Sequence, residues 1–220
     1  MAVSTSPASV PSVTERTVRE KPILFSGSMV KALLDGRKTM TRRVVKPQPP
    51  DRFRVGWVEG DAAFWSEKAV GDFPMWEKFV TCPYGQPGDR LWVRETWADD
   101  TRGDFLYRAD PFFDGAEIAW KWKPSILMPR RASRITLEIT DVRVEQLNDI
   151  SESDARREGV EPIEIQPDAI DEREAFSFTH GFIELWDSIN ASRGYGWDAN
   201  PYVWAITFRV VHPHERLGDA

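Results

Sequence analysis

The alternation of apolar and polar positions divides the chain into short elements. In "KPILFSGSMVKALLDGRKT", Ile23 to Phe25 read as a brief strand. Ser26 or Ser28 is placed to cap a helix whose inward positions are Met29, Ala32 and Leu33. Gly36 ends it, because glycine takes the left-handed conformation past a helix end without a Cβ penalty. "TMTRRVVK" then alternates as a strand until "PQPP" breaks it. "QPGDRLWVRETWA" reads as a Gly88-Asp89 turn feeding a strand buried at Leu91 to Val93. The clearest strand is "SRITLEITDVRVEQL", with Ile135, Leu137 and Ile139 on one face. "DISESDARREGV" predicts a short helix with Ser151 as cap, Asp154 three residues on, and Gly159 as its stop. "EAFSFTHGFIELWDSIN" predicts a longer amphipathic helix using Phe176, Phe182, Leu185, Trp186 and Ile189, and "YVWAITFRVV" closes with a strand.

Two stretches break this rhythm. From about 47 to 84 and from about 99 to 128, aromatic residues are scattered among glycines and charges with no helical period. They read as insertions built from short hairpins such as "FRVGWVEGDAAFW", packed on the main core. The expectation is an α+β chain: one domain over residues 21–220, built on a small, largely antiparallel β-barrel with flanking short helices. Residues 1–20, rich in Ser, Thr, Pro and Val, read as a disordered tail rather than a signal peptide.

Composition narrows the classes. A chain of 220 residues, 41% hydrophobic, supports one substantial core. It contains no apolar run of about eighteen residues, so no membrane-spanning helix is expected. Cys82 is the only cysteine, which excludes an internal disulfide and a thiolate metal cage. The His212 and His214 pair reads as a chain end and not as ligands, so neither metal nor cofactor is expected. A reducing cytoplasm is the simplest compartment.

The net charge of −6 argues against a general positive coat, but the signs are unevenly spread. Five cations and no acid lie between Arg37 and Lys46, five more between Lys121 and Arg134, and acids collect from Glu152 to Glu174. That pattern describes either a local basic groove on an acidic body or two solvated faces of opposite sign.

Candidate chemistry centres on "GRKTMTRR", Gly36 to Arg43, and on Glu158. Lys38 and Thr41 lie three apart, and strand residues three apart face opposite ways, so they converge only if Lys38 still belongs to the turn after Gly36. Glu158 follows Ala155 by three and shares its helix face. Lys, Thr and Glu together can form a nucleophile, base and orienter. A threonine hydroxyl needs a proton acceptor, and lysine serves when burial or neighbouring cations such as Arg37 and Arg42 lower its pKa. Glu158 either orients Lys38 or accepts the proton itself. Arg42 and Arg43 point to opposite sides of their strand, so at most one is expected in a shared pocket. Trp97 and Trp122 are candidate stacking platforms for a base.

The "GRKTMTRR" block fits the pattern G-x-K-T-x-T-x-R throughout. Together with "GDRLWV", "ITLEITDVRVEQL" and "DARREGV", it resembles the ASCH family, whose domain has a PUA-like β-barrel. The resemblance covers about residues 21–46, 85–98 and 131–210, and the layout is similar to ASCH-like proteins of phages and bacteria. It implies a pocket for a base or nucleoside. Some compact members are amidohydrolases that remove the acetyl group from N4-acetylcytidine, with Lys38, Thr41 and Glu158 falling on their lysine, threonine and glutamate. Other members bind or cleave RNA. On this reading Arg37, Arg42, Arg43, Trp97, Arg130 and Arg131 are the candidate contacts to a nucleoside or RNA. A non-catalytic RNA- or modified-base-binding module, and a phage structural or assembly protein, are the alternative classes.

Overall fold

The computed structural model describes residues 17–49, 53–59, 62–67, 76–100, 102–113, 120–164 and 176–213. The expected tail therefore lies outside the described residues up to position 16, and so does His214. The chain opens with β1 (Glu20–Leu24), α1 (Gly27–Leu34) and β2 (Met40–Val44). The first insertion carries β3 (Phe53–Glu59), β4 (Ala62–Glu67) and β5 (Trp76–Thr81). Next come β6 (Arg90–Arg94) and the second insertion, with β7 (Trp97–Asp99) and β8 (Phe105–Tyr107). The last part holds β9 (Ile135–Gln146), α2 (Glu152–Arg157), β10 (Ile163–Glu164), β11 (Phe176–Ser177), α3 (Phe178–Asn190) and β12 (Tyr202–Pro213).

The fold is α+β. Five strands make the central sheet in the order β1, β6, β9, β12, β2. β1 runs parallel to β6, and the other neighbours are antiparallel. Among the described residues no ladder joins β1 to β2, so the sheet stays open where the sequence suggested a barrel. The cause lies in the connection between the two edge strands, where α1 intervenes and a cavity occupies the seam. One side chain bridges the gap instead: Arg43 Nη2 donates to the Leu24 carbonyl at 2.8 Å.

Ile135, Leu137 and Ile139 alternate into the main core with Ile23, Leu91 and Ile206, all essentially solvent-free. Each such side chain contributes about 1.5–3 kcal/mol by leaving water. Ala63 and Val80 join the same core, so the three-stranded sheet of the first insertion is anchored on it. The second insertion has its own small core of Trp97, Tyr107, Met128 and Ala132.

Local boundaries differ from the pattern reading in two places. β1 begins at Glu20 because its pairing with β6 starts opposite Arg90. Phe176 is 61% exposed and precedes α3 rather than joining its apolar face. Capping sets that start: Ser177 Oγ accepts from His180 N, and the Glu152 carboxylate accepts from Thr179 N at 3.0 Å and from Phe178 N. The first N–H groups of a helix need such partners, and here one comes from the helix's own cap Ser177 and the other from Glu152 of α2.

Candidate active site

Gly36 takes φ 72°, and the turn it makes lets Lys38 N donate back to the Ala32 carbonyl at 3.0 Å. Lys38 is thus still in the turn when β2 begins at Met40, and three residues later Thr41 faces the same cavity. Thr41 is buried and paired in register with Ile206. From the other side, α2 delivers Glu158 at its C-terminal cap. Gly159 permits the approach. It has φ 79°, and a Cβ there would lie 2.7 Å from Lys38 Cβ and 2.9 Å from Ala32 Cβ. Any other residue would hold α2 away from Lys38.

Lys38 Nζ donates to the Glu158 carbonyl at 2.6 Å and to Glu158 Oε2 at 2.9 Å, and both residues are buried. The opposite carboxylate oxygen, Oε1, accepts from Arg42 Nη1 at 3.2 Å. Burial pushes the Lys38 amine below its ordinary value; Glu158 works to raise it, while Arg43 and Arg42 lower it further. A neutral amine has two N–H donors, and the two bonds to Glu158 use both, so its lone pair points elsewhere. No described residue hydrogen-bonds the Thr41 hydroxyl.

Arg42 has no exposed guanidinium surface. It donates to Glu145 Oε1 at 2.9 and 2.5 Å, to Asp154 Oδ2 at 3.1 Å and to Glu158. Burial opposes its charge, yet the three carboxylates hold its pKa above the ordinary guanidinium value. In register, Ala205 of β12 stands between Arg42 and Arg143 of β9. Cross-strand neighbours share a face, so this one-carbon side chain leaves room for Arg42 to reach Glu145. Arg42 therefore fixes Glu158 and is not a free ligand for substrate.

The cavity measures about 580 Å³, within the range of about 300–1,000 Å³ usual for small-molecule sites. Phe25, Tyr84, Phe182 and Trp186 give it an aromatic wall; Lys38, Thr41 and Glu158 give it a polar end. Phe182, Leu185, Trp186 and Ile189 present one stripe of α3 to it, which explains why Ile189 is 44% exposed despite its apolar spacing.

Several sequence-predicted contacts lie elsewhere. Arg37 is tied to Asp35 at 3.1 Å and Glu161 at 2.9 Å, outside the cavity. Trp97 is buried in the second insertion beneath Lys123, whose Nζ lies 4.5 Å from its ring centre, so no base can stack there. Trp122 packs edge-on against Phe113. Arg130 pairs with Glu20, and neither it nor Arg131 lines the cavity. Arg43 does line it, together with Arg42, which corrects the expectation that only one of them could. The cavity opens at a sheet edge, where side chains from both faces of β2 reach it.

Sequence reasoning missed Glu145, Asp154, Gly159 and Arg193 as parts of the site. Glu145 is one of three acids in its strand, with Glu138 and Asp141, so residue type alone does not single it out. The others depend on packing between distant segments. Among the described residues, no group of three His, Cys, Asp or Glu side chains is arranged to hold a metal ion, and no helix is long and apolar enough to cross a membrane.

No protein-family model matches the sequence, and no curated protein matches it. Two solved structures are similar to it. One is a DUF984 protein from Enterococcus faecalis, at 11% identity and TM-score 0.39, covering 94% of this chain and 88% of that one. The other is an ASCH domain from Lactobacillus crispatus, at 14% identity and TM-score 0.40, covering 93% and 87%. At these scores the assignment of the site rests on its own residues.

Proposed function

We propose that the cavity hydrolyses an N-acyl amide on a cytosine-type base, with Thr41 as nucleophile, Lys38 as proton acceptor and Glu158 as the group that orients it. The observation that carries this reading is the buried Lys38 amine, held by Glu158 and shifted toward its neutral form in a cavity that Thr41 also lines. The "GRKTMTRR" resemblance supplies the substrate class, an N4-acylated cytidine.

The chemistry balances with these groups alone. The Thr41 oxygen adds to the acyl carbon while its proton passes to Lys38 Nζ. Collapse of the tetrahedral adduct breaks the carbon–nitrogen bond, and Lys38 returns the proton to the departing exocyclic amine. Water then attacks the acyl-threonine ester, with Lys38 again taking and returning a proton, and the carboxylic acid leaves. Glu158 suits orientation more than proton transfer, because Lys38 and Arg42 already engage its two oxygens.

Incubation of the protein with N4-acetylcytidine tests the reading: cytidine and acetate should appear, and Thr41→Val should stop their release. Binding of the nucleoside without release would leave a modified-base-binding module as the better account. Undiminished turnover in Thr41→Val would remove the nucleophile.

A further inference from the structure

The cavity has four lining cations, and they fall into two kinds. Lys38 and Arg42, at the buried end, are engaged by carboxylates. Arg43 and Arg193 meet no carboxylate among the described residues. Arg43 is nonetheless held in place: it donates to the carbonyls of Leu24 and Arg42 at 2.8 and 3.3 Å, and its guanidinium lies 5.2 Å from the Phe25 ring centre. A guanidinium has five N–H donors, so donors remain free after those two bonds. Arg193 comes from the exposed 3₁₀ turn Ala191–Arg193 that follows α3. Close by along the chain, Tyr195 carries Lys46 Nζ 5.2 Å from its ring centre, and Lys46 also has no carboxylate partner among the described residues.

Lys38 Nζ lies 5.4 Å from the centre of the same Phe25 ring that Arg43 covers, so both cations meet one aromatic side chain of the cavity wall. At the buried end, Glu145, Asp154 and Glu158 engage the cations directly. Arg43 and Arg193 line the same cavity with no carboxylate partner among the described residues, on a protein of net charge −6. Solvation alone gives no reason to place them on the rim of an aromatic-walled cavity. An anion on the ligand does, and planar guanidinium groups match the oxygens of phosphate.

Building on the reading of the cavity as a base pocket, we propose that Arg43 and Arg193 form a phosphate subsite, so that the substrate is a phosphorylated cytidine rather than the free nucleoside. The phosphate can belong to a mononucleotide or to an RNA strand; the chemistry at the subsite is the same.

Calorimetric binding of cytidine, cytidine 5′-monophosphate and hexacytidylate to the full chain at low salt tests this. The monophosphate should bind about ten-fold or more tightly than cytidine, as expected for a hydrogen-bonded charge pair. That advantage should shrink with added salt. Arg193→Gln, a change at an exposed position, should remove most of it, and Arg43→Gln with Arg193→Gln should abolish it, so that this variant binds the monophosphate no more tightly than it binds cytidine. Hexacytidylate binding more tightly than the monophosphate assigns the phosphate to RNA; equal or weaker binding assigns it to a mononucleotide. Equal affinity for cytidine and its monophosphate overturns the subsite and leaves the base pocket standing, and so does an advantage that survives the double substitution. Failure of all three ligands to bind overturns the base pocket as well.

Discussion

The molecule buries two networks of charge, and they are built to different ends. At the root of the second insertion, Arg134 meets Glu95 through two parallel bonds of 2.9 and 3.0 Å, pairs also with Asp110, and stacks 4.0 Å from the Tyr107 ring centre. Arg134 answers the charge of each of these carboxylates, and none of the three residues lines the cavity. In the cavity, Arg42 plays the corresponding part for Glu145, Asp154 and Glu158, but one further group is added: an amine whose charge burial disfavours. Ionic networks of the first kind tie segments together. An extra titratable group left short of its usual charge, inside a cavity, is the arrangement that suggests proton transfer.

The largest effects should separate the two networks by readout. Lys38→Arg keeps a cation that cannot give up its proton near neutral pH, so the rate of acyl release should fall by about 10²-fold or more. Arg134→Met should leave that rate unchanged in the folded protein and instead lower stability by about 3–5 kcal/mol, because Glu95 is left buried without a partner. Lys38→Met should cost less stability than Arg134→Met, since Arg42 still engages Glu158. Chemical denaturation and a turnover assay on the same preparations check all three. A stability loss without a rate loss in Lys38→Arg would make the cavity network structural too.

Gly159→Ala should follow in size. Its positive φ and the 2.7 Å approach to Lys38 Cβ imply a destabilisation of about 1–3 kcal/mol, together with a fall in rate as Glu158 is displaced. Gly103, also at positive φ but with open space around its absent Cβ, is the control and should lower stability alone.

How much of this was legible in the sequence follows from how local each cause is. The helix stops at Gly36 and Gly159, the cap at Ser151 and the alternation of Ile135, Leu137 and Ile139 depend on neighbours within a turn or a strand, and they could be read. The open seam between β1 and β2 could not, because strand order is set by packing across the whole chain. Within the site, Lys38, Thr41 and Glu158 were singled out by residue type and by a motif. Arg42 was assigned to substrate, since nothing near it in sequence announces Glu145 or Asp154, which arrive from other elements. Trp97 misled for the opposite reason: its aromatic character fits a base platform and an insertion core equally well, and packing chose the core.

The smallest expected effects concern pH, and the two networks should differ in sign. Burial works to raise the Asp154 carboxyl, but Arg42 and Arg143 outweigh it and hold it below its ordinary 3.8. Its stabilisation is therefore complete above pH 3.8 and is lost as pH falls through the lower folded value. Glu95 is pushed above its ordinary 4.5 by burial, despite Arg134. The folded state then holds a proton that the unfolded state has released, so stability falls as pH rises from 4.5 through the folded value. Stability profiles of Asp154→Asn and Glu95→Gln should each lose the corresponding limb and keep the other; loss of the same limb in both would merge the two networks into one.

The Lys38 amine itself offers the most direct test of the account. A side-chain NMR titration of lysine, with the Lys38 resonance assigned by its absence in Lys38→Arg, reads its protonation without any substrate. The midpoint should lie below the ordinary 10.5, and lower still in Glu158→Gln because the carboxylate that favours the charged amine is gone. A midpoint at or above 10.5, indifferent to Glu158, would contradict it.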